Sequence, residues 1–363
     1  MSATTESRKD RSLVDRVAAA VLYEGYVLYP YRPSSVKNQQ RWNFGVVCPE
    51  SYSIAQKGTE AALMQTECLL VAGPASRLSI TVKFLQLISR QVSTSVNPGL
   101  EPFGAIDGSD FRPVSALEHD GRIYNTWQEA VEREVGPISV ELSNSGGITE
   151  SRTFEFGATE TVEELRASEA GPIVGLVRRV QSSLAGQLEV IVTPCKNSKL
   201  AGLLKVNVQV SNTTPFEDPD DKSRDEALLN SFVSTHTVLR VQGGEFVSLL
   251  DPPEEAGAVA AECRNVGAYP VLVGVEGERD CMLSSPIILY DYPQIAAESP
   301  GDLFDGTEID EILTLRILTL TDAEKREIRA SDDRARRLLE RTETLPLEEF
   351  MKLHGAMKGV NRK

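Results

Sequence analysis

The stretch Leu203–Asn212, LLKVNVQVSN, alternates apolar and polar side chains. In an extended chain Val206, Val208 and Val210 fall on one side and Lys205, Asn207 and Gln209 on the other, the period-two signature of an antiparallel strand with one buried face and one wet face. LEVIV at 188–192 has the same texture just upstream. The middle of the chain is therefore expected to be antiparallel sheet.

Working outward, HTVLRV, the glycine turn QGGE and FVSLL read as a hairpin around 236–250. ISVEL, the Ser-Gly-Gly turn at 145–147 and RTFEFG read as another. MQTECLLVAG and SRLSITVKFLQLIS read as two strands joined by a turn at GPAS, WNFGVV at 42–47 as a short strand, and YPVLVGV and SPIILYDY as two more apolar strands. Residues 93–125 are rich in loop signals.

Helices are expected elsewhere. Ser12 can cap a first one with Asp15 returning the bond, and Val14, Val17, Ala18, Val21 and Leu22 form its apolar stripe, ending near Gly25. WQEAVERE at 127–134 and TVEELRASEA have helical texture, and Pro252, Pro253 and Glu254 open a helix through Cys263 that stops near Gly267. From Asp310 the pattern is helical again. A Thr321 to Glu324 capping box opens a last amphipathic helix over 323–342, with Ile328, Ala335, Leu338 and Leu339 on one face. The expected class is α+β: a mainly antiparallel, sandwich-like β core with flanking helices and a helical C-terminal arm. Its expected segments are 1–135, with the first helix and a β portion, 136–297, the β-rich core with a helix near 252–266, and 298–363, an acidic turn and the arm.

Composition narrows the function. A length of 363 residues with 41% hydrophobic and 25% charged side chains suits a folded globular chain. A net charge of −15 argues against nucleic acid or an anionic membrane as the main partner. The apolar stretch VAAAVLYEGYVLY is interrupted by Glu24 and too short to span a bilayer, so a cytoplasmic location is expected. The five cysteines, Cys48, Cys68, Cys195, Cys263 and Cys281, have no CxxC spacing, which suggests neither a disulfide framework nor a zinc ribbon.

Phosphate-cradling glycine motifs and the GxSxG elbow are absent, and no catalytic residue or cofactor is expected. His236 sits in an alternating strand without a visible acid or base partner and reads as structural. Asp302, Asp305, Glu308, Asp310 and Glu311 offer hard oxygen atoms but lack the spacing of a calcium loop. Their simpler role is to oppose the dipole of the helix starting near Asp310.

The stretch Tyr23–Trp42, YEGYVLYPYRPSSVKNQQRW, is the other unusual feature. Tyr26, Tyr29, Tyr31 and Trp42 carry apolar rings with polar tips, and Arg32, Lys37 and Arg41 add local positive charge to an acidic chain. Two readings stay open. The segment is either a partner-binding surface or a junction packed against its own chain, with the acidic turn at 302–311 as the internal partner.

YEGYVLYPYRPSSVKNQQRWNFG, STHTVLRVQGGEFVSLLDPP with CRNVGAYPVLVG, and SSPIILYDYPQIAAESPGDLFDGTEIDEILTLRILTLTDAEKR resemble stretches in a group of bacterial proteins encoded alongside nickel-iron uptake hydrogenase genes. The resemblance implies a non-enzymatic accessory role in hydrogenase assembly or maturation, with a hydrogenase subunit or maturation factor as partner. The group has no catalytic motif to carry over. The alternative is an enzyme with a site formed by 23–42 and 302–311, and self-association through the helix at 323–342 is a further expectation.

Overall fold

The alternation at Leu203–Asn212 folds as read, with Val206, Val208 and Val210 buried and Lys205, Asn207 and Gln209 half-buried. The structure, a computed structural model, describes residues 14–19, 21–22, 44–96, 110–142, 147–196, 198–293, 321–329, 336, 339–340 and 343–344. In chain order its strands are β1 (Leu63–Ser95), β2 (Phe111–Val114), β3 (Ala116–His119), β4 (Arg122–Asn125), β5 (Trp127–Glu141), β6 (Ile148–Phe156) and β7 (Thr159–Arg166). They continue with β8 (Ile173–Gln181), β9 (Leu184–Pro194), β10 (Leu203–Asn212), β11 (Val233–Val247), β12 (Tyr269–Leu272) and β13 (Cys281–Ser285). The protein is mostly antiparallel sheet. All of these strands but β3 and β4, which pair only with each other, belong to one open sheet.

The sheet is organised by β1, whose 33 residues change neighbours along their length. Leu63–Val71 pairs with β10, Leu69–Ala72 with the end of β11, Arg77–Leu85 with the rest of β11, and Arg77–Arg90 with β5. Two segments expected to be turns are matching bends in neighbouring strands. GPAS bends β1 at 73–76, QGGE bends β11 beside it, and both strands continue.

The Ser76 hydroxyl holds the bends together, accepting from the Gly73 amide at 2.7 Å and donating to the Gly243 carbonyl. Gly243 has φ +72, and a Cβ on Gly244 would sit 2.8 Å from the Val71 carbonyl oxygen. A positive-φ glycine in a bulge gives the same local signal as one in a hairpin turn, so only the continued pairing separates the two.

Because the bend inserts four residues, side-chain parity survives it. Met64, Cys68 and Leu70 before the bend and Leu78, Ile80, Val82 and Phe84 after it join the valines of β10 in the same core cluster. Phe84 meets Phe232, Phe154 and Phe156 at ring separations of 4.5, 6.3 and 5.8 Å.

Several expectations are corrected. WQEAVERE is the start of β5, held to β1 by Glu134–Lys83 at 3.4 Å and Glu129–Arg90 at 2.7 Å. TVEELR lies in β7, where Glu160 and Glu163 reach Arg178 and Arg179 of β8. In both, acidic and basic side chains that look like a solvated helix surface are cross-strand partners. RTFEF, in β6, pairs with β9 and not with ISVEL. The strand expected at SPIILYDY is instead CMLSS, β13, and the described part of WNFGVV, 44–47, forms no named strand but bridges Val47 to Phe232. The loop-rich 93–125 holds the end of β1, β2 and the β3–β4 hairpin turning at Asp120–Gly121. The expected segment limit at 135/136 falls inside β5.

The first helix packs its expected stripe, Val14, Val17, Ala18 and Val21, on Val238, Val271, Val273, Cys281 and Leu283. This helix is α1, helical at 14–19 and 21–22. Asp15 pairs with Arg240 of β11 at 2.9 Å, and its expected cap partner Ser12 lies outside the described residues. The short helices α2 (Glu50–Ala55) and α3 (Arg224–Leu228), the latter with a Ser223/Glu226 capping box, were not foreseen. α4 (Glu254–Ala260) starts after Pro253 as expected, ends before Cys263, and buries Ala256 against Leu69, Leu203 and Val247.

At the C-terminal side, α5 (Asp322–Arg329) is described, and Glu343 pairs with both Lys325, at 3.3 Å, and Arg329. Of the helix expected over 323–342, residues up to Arg329 are helical in α5, and 330–335, 337–338 and 341–342 lie outside the described residues.

Removing the Ser76 hydroxyl strands the Gly73 amide and the Gly243 carbonyl together. Ser76→Ala is expected to lower unfolding free energy by about 1–3 kcal/mol, and Gly244→Ala to destabilise through its clash with Val71; urea denaturation of both variants measures this.

Candidate functional site

Tyr26, Tyr29, Tyr31, Arg32, Lys37, Arg41 and Trp42 lie outside the described residues, as do Asp302, Asp305, Glu308, Asp310 and Glu311. Their flanks are described. Leu22 is buried with Leu85, Leu87, Leu228 and Val233, while the Phe44 carbonyl accepts from the Ser234 amide at 2.8 Å. Both ends of the Tyr/Arg stretch are thus fastened at the start of β11.

The chain entering the acidic segment is fastened nearby. Ile287 and Leu289 pack into the cluster formed by α1, β11, β12 and β13. Just beyond, the Asp291 carboxylate accepts from the Ser248 hydroxyl at 2.5 Å and from the Leu272 amide at 2.8 Å. One face of the sheet therefore anchors α1, which leads into the basic aromatic stretch, and the segment that leads into the acidic one.

Under that face, among the described residues, lies a constellation that resembles a nucleophile with its base. His236 Nδ1 is 2.6 Å from the Ser234 carbonyl oxygen, which can only accept, so Nδ1 carries the proton. Nε2 then accepts from the Ser285 hydroxyl at 3.2 Å, and Ser285 Oγ in turn accepts from the Ile287 amide at 3.1 Å. Both His236 and Ser285 are 0% exposed, so no substrate reaches them. Their pairing is a buried link between β11 and β13, and a separate buried contact joins the Thr66 hydroxyl of β1 to the Ser284 hydroxyl of β13 at 2.6 Å. His236 is structural, as the sequence suggested; its partner Ser285 left no sequence signal, because only sheet pairing brings residues 49 positions apart together.

A second polar cluster sits on the outer face of β1 and β10. Glu67 accepts from Lys205 Nζ at 2.7 Å, Asn207 Nδ2 at 3.0 Å and the Arg264 amide at 2.7 Å, and its own amide donates to Asn265 Oδ1 at 2.8 Å. Burial pushes the Glu67 carboxyl up, but these donors more than offset it and hold it below the usual carboxylate value. Cys195 and Cys263 border this cluster, and burial raises both thiols against the opposing pull of Lys205. Among the described residues no three His, Cys, Asp or Glu side chains gather as a metal site, and no helix is long and apolar enough to cross a membrane.

No protein-family profile matches the chain, and no curated protein matches it.

Burial disfavours the charged imidazole and outweighs the Ser234 carbonyl, which lowers His236 from 6.5 to about 4. An unfolded chain takes up this proton as pH falls through 6.5, while the folded chain does not until about 4. The contribution to stability is full above the upper value and lost toward the lower one. It amounts to about 3 kcal/mol at most. Unfolding free energy followed by urea denaturation is expected to fall across this window in the wild type and to be flatter in His236→Gln.

Proposed function

We propose that the chain is a non-enzymatic accessory or assembly protein of a nickel-iron hydrogenase system, acting in the cytoplasm through contacts with a hydrogenase subunit or maturation factor. The contact surface is the basic aromatic stretch, Tyr26, Tyr29, Tyr31, Arg32, Lys37, Arg41 and Trp42, with the acidic segment at 302–311 as its neighbour. The supporting observation is the convergence of their flanks: Leu22 and Phe44 are fastened to the start of β11, and Ile287 and Leu289 pack on α1. Fastening both ends of a segment to a sheet limits the conformations open to it and so lowers the entropic cost of holding it against a partner.

The burial of His236 and Ser285 also favours binding over catalysis. The enzyme alternative gains no reacting group from this pair. A sandwich-like layering of the two halves of β1, and a helical arm carrying α5, complete the proposed architecture.

The test is affinity purification of the full chain from a host expressing its hydrogenase, beside a charge-reversed Arg32→Glu/Lys37→Glu/Arg41→Glu variant. The wild type is expected to recover a hydrogenase subunit or maturation factor, and the variant at least about tenfold less, since reversing basic side chains at an interface introduces like-charge repulsion. Recovery of neither from the wild type removes the accessory role. Equal recovery by wild type and variant removes the basic stretch as the surface.

A further inference from the structure

Cys195 and Cys263 are far apart in sequence but half-buried at the margin of one apolar cluster, built on Leu69, Leu203, Val247 and Ala256. Cys195 follows β9, and its amide donates to the Leu203 carbonyl at 2.9 Å, which sets it in the outer row of the sheet beside Leu203. Cys263 follows α4 with its sulfur 3.8 Å from the Val259 carbonyl. The next amide, that of Arg264, is tied to Glu67 on the same outer face at 2.7 Å. The Lys205 ammonium opposes the burial that raises both thiols. Cys48, Cys68 and Cys281 are buried, and Cys68 belongs to the opposite, inner face.

We propose that Cys195 and Cys263 form a redox-modifiable pair, which a peroxide joins as an intramolecular disulfide tying the β9–β10 connection to the exit of α4. In the first step one thiolate attacks a peroxide oxygen and the O–O bond breaks, leaving a sulfenic acid and, with a proton from solvent, water. The second thiolate then attacks that sulfur and the S–O bond breaks, releasing hydroxide that is protonated to water. Two thiols and one hydrogen peroxide give one disulfide and two waters; sulfur is oxidised and peroxide oxygen reduced.

A disulfide needs its Cα atoms within about 7 Å, so the cross-link also reports how closely the exit of α4 rides over the β9–β10 connection. The thiolate is the reacting form and both thiols are raised, Cys263 to about 11. Oxidation is therefore slow at neutral pH and quickens as pH rises. The pair stands on its own geometry, independent of the accessory role.

The test treats the full chain with hydrogen peroxide at pH about 7 and about 9, the range that straddles the ordinary thiol value, then blocks free thiols and maps the peptides without reduction. The expected result is a linked 195–263 peptide pair. It forms faster at the higher pH, reverts with dithiothreitol, and is accompanied by a thermal midpoint raised by several degrees. Cys195→Ser and Cys263→Ser each abolish the link and the rise, whereas Cys48→Ser keeps both. A wild-type map showing only over-oxidised single cysteines, an intermolecular link, or a link through Cys68 overturns the proposal whatever the variants do.

Discussion

The hydroxyl of Ser76 joins two bends that have to occur together. It caps the Gly73 amide within β1 and donates to the Gly243 carbonyl of β11, so neither strand bends independently of the other. The glycines at 73, 243 and 244 lie where a side chain would meet backbone or strain it. The bend takes four residues of β1 and one of β11, so β1 keeps its inward parity while β11 switches from Phe246 to Val241 and Leu239. A single apolar face then serves a core that gathers both halves of β1, the valines of β9 and β10, and Phe232 and Phe246. The helices are laid on the outer face: α1 over β11, β12 and β13, and α4 over Leu69 and Val247.

The polar interior follows the same strand pairing. Past Phe84 the inward side of β1 turns polar, and its charges are satisfied across strands. Arg90 donates to the Asn125 carbonyl at 2.9 Å and pairs with Glu129, which also takes Arg179 at 3.0 Å. A buried arginine so engaged is costly to strip of its partner but adds little by itself to net stability, because its lost hydration is only matched. Its effect is to specify which strands pair. The same holds for the sealed His236–Ser285 link, whose geometry resembles that of a hydrolytic site but whose burial leaves it a purely structural role.

How much was legible varied with the physical origin of each signal. The strict alternation of Leu203–Asn212, the stripe of α1 and the Pro253 start of α4 were readable because each is local: burial on one face imposes the period, and proline imposes the boundary. WQEAVERE and TVEELR were misread because their charge pattern suits a solvated helix as well as a strand whose partners, Lys83, Arg90, Arg178 and Arg179, come from elsewhere. GPAS and QGGE were misread for a related reason, since glycine relieves the same backbone strain in a turn and in a bulge. For the candidate surface, residue types alone marked the Tyr/Arg and acidic stretches, and nothing in them indicated that their flanks share a cluster.

By itself the sequence determined that this is a predominantly antiparallel β protein with an apolar first helix, because those properties follow from periodicity within a few residues. Tertiary structure alone decided that two apparent turns are one shared bend, that His236 meets Ser285, and that Cys195 and Cys263 border one patch. The physical reason is the same in each case. Strand pairing and face packing join residues that are distant along the chain, and no local pattern of side chains encodes which distant partner will satisfy them.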